Sequence, residues 1–129
     1  MKRIFMFFAV SAMLLSCQES LEERAAREAR VMTETKCPMP VSDNLYLDSV
    51  VFDIPTLTQS QYFRVKGDLD DDSLFKTVDS RTLLLNELKN TPGYRALRER
   101  GVAFRYVYHS TKSPSKVMLE LTLTSEDYR

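Results

Sequence analysis

The chain has 129 residues, with 18 lysines and arginines against 18 aspartates and glutamates. This balance leaves no basic excess of the kind that holds a nucleic acid, and neither nucleic acid nor a cofactor is expected as a ligand. The length suits one domain with a modest hydrophobic core.

The first element is not part of that core. Lys2 and Arg3 form a positive stretch, and Ile4 to Leu15 is apolar. Twelve residues are too few to span a bilayer, which takes about 20 apolar residues, and the pattern fits a secretory signal. It closes on Leu14-Leu15-Ser16-Cys17, which resembles a bacterial lipobox. The resemblance implies cleavage after Ser16 and acylation of Cys17. Each buried CH₂ of such an anchor contributes about 0.8 kcal/mol, so several acyl chains hold almost permanently. Residues 1–16 are therefore expected to be a signal peptide, 17–36 a lipidated helical tether and 37–129 the domain. Gln18, where an aspartate marks inner-membrane retention, resembles outer-membrane cargo facing the periplasm or the cell surface. Glu19, Glu22 and Glu23 resemble acidic export tags, or else belong to a solvated helix. Removal of the signal leaves 16 basic against 18 acidic residues, a formal charge of −2. Acylation of Cys17 leaves Cys37 without an intrachain partner, and burial beside Pro38 is the expected fate of that thiol.

Glu19 to Thr35 reads as a helix with a narrow apolar stripe at Leu21, Ala25, Ala29 and Met32, able to dock on the domain or to stand as a stalk. Cys37-Pro38-Met39-Pro40 ends it in extended backbone, and Ser42-Asp43-Asn44 is a turn. Leu45–Ile54 is a strand, with Val50, Phe52 and Ile54 on one face and Leu47 and Val51 on the other. Gln61–Lys66 is the next, with Phe63 and Val65 inward and Tyr62, Arg64 and Lys66 outward. Gly67–Asp79 is acidic and irregular. Ser80–Lys89 is a helix burying Leu84, Leu85 and Leu88, capped by Asp79 or Ser80. Thr91-Pro92 resets the chain, threonine as N-cap and proline at the first helical position, and Tyr94–Arg100 is a second short helix closed by Gly101. Val102–His109 is a strand with Val102, Phe104, Tyr106 and Tyr108 inward, and Lys116–Thr124 another with Val117, Leu119, Leu121 and Leu123 inward. Glu126–Arg129 is a polar tail. The order, a helix and then β-β-α-α-β-β, predicts an α+β fold with a four-stranded antiparallel sheet and helices on one face.

Several stretches carry a resemblance: Cys37-Pro38-Met39-Pro40-Val41-Ser42-Asp43, Leu47-Asp48-Ser49-Val50, Gly101-Val102-Ala103-Phe104-Arg105-Tyr106-Val107-Tyr108 and Asp127-Tyr128. Together they resemble a family of small, uncharacterised exported bacterial proteins. The chain departs from that pattern at Ser42, inserted before Asp43, and at Tyr62-Phe63. The resemblance implies an exported α+β domain and carries over no catalytic residue.

Three constellations are candidates for chemistry. Asp68, Asp70, Asp72 and Asp79 fall at positions 1, 3, 5 and 12 of a calcium loop, against which stand Ser73 at the glycine position and Lys76 at position 9. Cys37 and His109 are the free thiol and the single histidine, the raw material of a small thiol enzyme. Tyr62, Arg64, Lys66 and Arg105 fall on the outward side of the sheet, where tyrosine supplies rigid amphipathic contact area. The reading that follows is a membrane-anchored module of the cell envelope that binds a protein partner and performs no catalysis. A calcium-dependent envelope protein and the thiol enzyme are the alternatives.

Overall fold

The computed structural model describes residues 18–129, so the signal peptide and Cys17 lie outside the described residues. Helix α1, Leu21–Thr35, begins where the Ser20 hydroxyl accepts a hydrogen bond from the Glu23 amide. Its stripe is narrow because its buried members are alanines. Ala25 and Ala29 are buried, and their small side chains let the helix lie close against the sheet. This helix packs into the core cluster; the boundary drawn at residue 37 does not separate it from the domain.

Five strands follow the order β1-β2-β3-β4-β5 in one sheet: β1 Met39–Ser42, β2 Leu45–Asp53, β3 Thr58–Val65, β4 Ala103–Ser110 and β5 Val117–Leu123. The expected four-stranded antiparallel sheet is corrected on two counts. Met39–Ser42 is a fifth strand, because a proline is tolerated on a sheet edge, where its missing N–H costs no ladder bond. The β3–β4 pair is parallel, because the chain between them crosses the helical face before returning, whereas a tight hairpin would have reversed it. The other neighbouring pairs are antiparallel.

That crossover is more ordered than its acidic composition suggests. A 3-10 turn at Gly67–Leu69 leads to helix α2, Asp72–Thr77, whose N-cap Asp71 accepts from the Ser73 amide. Helix α3, Ser80–Asn90, is capped by Asp79, which accepts from the Thr82 amide and hydroxyl. A 3-10 turn at Pro92–Tyr94 then opens into α4, Arg95–Arg100. Thr91 does not cap it as expected: its hydroxyl donates back to the Glu87 carbonyl, 2.7 Å away. Gly101 closes α4 at φ 86°, a left-handed conformation that favours glycine. The tail expected to be polar coil is a last turn of helix, α5 Ser125–Tyr128, held by a capping box between Thr124 and Asp127. Its Tyr128 is buried and donates to the Val102 carbonyl at 2.8 Å.

The helices share one face of the sheet, as expected. Leu84 and Leu88 of α3, Ala25 and Ala29 of α1 and Tyr128 of α5 meet Leu47, Phe52, Phe63, Phe104, Tyr106 and Leu123 in one cluster. Strict alternation fails at three register shifts, one at Val41 on the β1 edge and two that move core positions. Leu47 pairs with Phe63 but Ser49 with Tyr62, so Asp48 is an extra residue that shifts the parity of β2. Leu47, Val50 and Phe52 thus share the core face, while Val51 and Ile54 are exposed. Met118 makes the same shift in β5, turning Val117 out to solvent.

Candidate binding site

Between α1 and the Pro92–Arg100 segment the sheet is not fully covered. A groove of about 470 Å³ remains, floored by β2 and β3 and walled by the two helical segments. Leu21, Ala25, Ala29 and Met32 form one wall; Gly93, Tyr94, Ala96 and Leu97 form the other. The amphipathic stripe of α1 explains the first wall: it is wider than the two alanines that touch the sheet, and its ends overhang the groove. Small residues explain the second, since a Cβ added at Gly93 would meet nothing within 4 Å. Two amides lie on the floor. Gln59 and Gln61 have the same parity in β3 as Phe63 and Val65, and both are buried. The Gln61 amide donates to the Tyr94 hydroxyl at 3.2 Å, while the Gln59 side chain makes no hydrogen bond among the described residues. Charge sits on the rim. Arg24 and Glu28 face each other at 3.8 Å, and Arg100 donates to Glu22 at 2.5 Å, tying α4 to the first turn of α1.

The groove was not read from the sequence: the strand was expected to begin at Gln61 and begins at Thr58, and two glutamines at inward positions of that longer strand are the signal that could have found it. The residues expected to form a patch lie on the opposite, helix-free face, and the fold brings them together in two groups. Arg64 and Lys66 both sit over the Tyr46 ring, at 5.1 and 4.7 Å, within the range of a cation–π contact. Arg64 also donates to Asp48 at 3.3 Å. Arg105 donates to the Tyr62 hydroxyl at 2.8 Å and to Glu120 at 2.7 and 2.9 Å. Val107, in register with Tyr62 on one side and Glu120 on the other, is only 2% exposed although it faces away from the helices.

The four carboxylates of the calcium pattern do not converge. Asp68 is exposed on the 3-10 turn. Asp70 is buried and accepts from the Thr111 and Lys112 amides at 3.0 and 2.9 Å. Asp72 pairs with Lys116, and Asp79 caps α3. Among the described residues no group of three or more histidine, cysteine, aspartate or glutamate side chains is placed to hold a metal ion. Cys37 and His109 are not brought together either. Cys37 packs against the core beside β1, and burial, then the nearby Asp48 carboxylate, push its thiol up from the ordinary value. That is the opposite of activation, since the thiolate is the nucleophile. His109, on β4, pairs in register with Arg64, with β2 and β3 between it and β1, and its Nδ1 has no hydrogen-bond partner among the described residues.

No helix of the described residues is long and apolar enough to cross a membrane. The fold is shared with three solved structures. A protein of Pseudomonas aeruginosa described as secreted aligns over 87% of this chain and 100% of its own, with 14% identity and a TM-score of 0.65. The pilotin of the Vibrio cholerae type II secretion system aligns over 83% and 91%, with 15% identity and a TM-score of 0.58. The pilotin of the Vibrio vulnificus type 2 secretion system aligns over 84% and 92%, with 12% identity and a TM-score of 0.54. No curated protein sequence matches the chain. A single sequence family covers most of it, including α1, the whole crossover and β4, and its model matches residues 20–119: the chain belongs to the family described as Domain of unknown function (DUF8479).

Proposed function

We propose that the protein is a non-catalytic binding module of the bacterial envelope, anchored to the outer membrane through an acylated Cys17, that holds a partner protein in the groove between α1 and α4. The groove itself carries the reading. Its walls are apolar, its floor offers two buried amides, and its length runs along a helix, which is the shape that takes an amphipathic helix of a partner. The apolar side of that helix would meet Leu21, Met32 and Leu97, and a polar group on it would meet Gln59 and Gln61. Arg24 and Glu28 on the rim would pair with charges flanking the apolar side. The fold shared with two pilotins of type II secretion systems supports the same reading, since a protein that serves such an assembly works by contact with other proteins.

The helix-free face with Tyr62, Arg64, Lys66 and Arg105 is the second reading, favoured by Lys66, which has no carboxylate partner among the described residues. It would take an acidic segment of a partner. Arg64 and Arg105 already hold Asp48 and Glu120, so the groove is preferred.

The test is co-purification of the tagged full chain from membranes in wild-type, Gly93→Phe and Arg64→Ala forms. Gly93→Phe adds a ring beyond a Cβ position that has no atom within 4 Å; it should leave the melting temperature unchanged and lose the partner. Arg64→Ala should keep it. The reverse pattern would move the site to the helix-free face. Radiolabelled palmitate should enter the wild type and not Cys17→Ser; equal labelling of both would remove the anchor from the proposal.

A further inference from the structure

The two edges of the sheet are treated differently. On the β1 side the edge is closed. Pro40 interrupts the donors of β1, and where β1 ends the Thr33 hydroxyl takes over, accepting from the Val50 amide and donating to the Val50 carbonyl, both at 2.9 Å. A helix side chain thus stands in for a strand. The β5 edge has no such cover. Val117–Leu123 contains no proline, its one charge, Glu120, is turned along the face to Arg105, and among the described residues no hydrogen bond from outside the sheet reaches its backbone. An uncovered, largely apolar edge strand is a template for pairing with another strand.

We infer that β5 is a self-association edge, where two copies of this chain pair antiparallel about a two-fold axis through Leu121 and join their sheets into one. The sequence Leu119-Glu120-Leu121-Thr122-Leu123 reads with the same alternation in both directions. About Leu121, Leu119 of one copy stands opposite Leu123 of the other on the helical face, and Glu120 stands opposite Thr122 on the helix-free face. This register keeps the two glutamates from facing each other, and like charges directly opposite are destabilising. It also brings Lys116 at one end of the strand towards the end where the other copy carries Glu126. An axis through Glu120 would set the two carboxylates against each other, so the charges choose between the registers. An isologous contact of this kind uses one patch twice and closes on itself. Beside the strand lies a cleft of about 150 Å³ lined by Phe75, Leu83, Leu84, Tyr108 and Leu119. Leu83 there is 60% exposed, the most exposed of the large apolar side chains among the described residues, and the seam runs beside it. The groove between α1 and α4 stays open in this arrangement, so association and partner binding are separate properties.

The full chain in detergent, with Cys37→Ser as the common background, tests the edge and its register together. It should sediment as a dimer. Glu120→Cys and Thr122→Cys forms, each oxidised alone and then as a mixture, read the register, because a disulfide forms only across a short Cα separation. The mixture should give about tenfold more crosslinked dimer than either form alone, since only the mixed pair stands directly opposite. A monomer at every concentration would overturn the inference. So would a dimer whose crosslinking is no greater in the mixture, because it would be formed through another surface.

Discussion

Asp70 shows what a single carboxylate does when it is read out of context. In the sequence it is one of four aspartates at calcium spacing. In the fold it is buried and fixes the β4–β5 turn through the Thr111 and Lys112 amides. The Ser110 hydroxyl and then the Lys112 and Thr111 amides hold its carboxyl below the ordinary value of 3.8. A depressed folded value means stabilisation that is present above the ordinary carboxylate range and is lost as pH falls through the folded value. Asp70→Asn should therefore lower the melting temperature at neutral pH and flatten its fall in acid; an unchanged acid limb would remove Asp70 from this role. At the other end of the scale, burial pushes the Tyr108 hydroxyl up to about 12 from 10, and Tyr106 is raised further by the same cause. A raised folded value gives stabilisation that is complete below pH 10 and is lost as pH rises through the folded value. Alkaline titration should show tyrosinate absorbance from these two rings appearing only together with unfolding. Smooth titration near 10 in the folded state would contradict their burial.

The elements were legible where burial is one-sided and regular. Phe63 and Val65 in β3, Phe104 and Tyr106 in β4, and Leu84 and Leu88 in α3 lie inward as their spacing predicts, because a period of two or 3.6 maps directly onto one face. What alternation cannot show is where one residue is inserted. The bulges at Asp48 and Met118 reverse the parity of everything beyond them, so Leu47 and Val117 change sides. Pro40 read as a break because its role depends on being at an edge, a property of the sheet and not of the residue. Tyr128 read as tail because its hydrogen-bond partner, Val102, lies 26 residues earlier in the chain. Thr33 is the same kind of case: a polar residue on an amphipathic helix that seals the β2 edge. Thr33→Val should cost about 1–2 kcal/mol, since it leaves a half-buried amide and carbonyl without a partner, and should speed hydrogen exchange at the Val50 amide in particular. Leu88, fully buried in α3, should cost about 2–5 kcal/mol as Leu88→Ala, read as a shift in urea midpoint with an unchanged slope.

At the scale of the whole molecule, the sequence indicates a helix, a sheet and helices on one face, but not the order of the strands. The parallel β3–β4 step follows from the long crossover, and that step sets the α4 segment beside α1. The groove exists because of it: α1 comes from the first part of the chain, Gly93 and Leu97 from much further along, and Gln59 and Gln61 from a strand between. No local pattern contains all three. The same distance explains why the patch residues were found and the groove was not. Tyr62, Arg64 and Lys66 alternate along one short stretch, β3 and the residue that follows it, and are visible together, whereas the groove is assembled from elements that meet only after folding. The account stands on partner binding in that groove. The most direct measurement is site-specific photo-crosslinking in living cells from Ala96, on the α4 wall, and from Arg64, on the helix-free face, followed by mass spectrometry of the crosslinked peptides. The account predicts that Ala96 captures an amphipathic helical segment of one envelope protein, and that Gly93→Phe abolishes the capture. Crosslinking of that protein from Arg64 with none from Ala96 would contradict it.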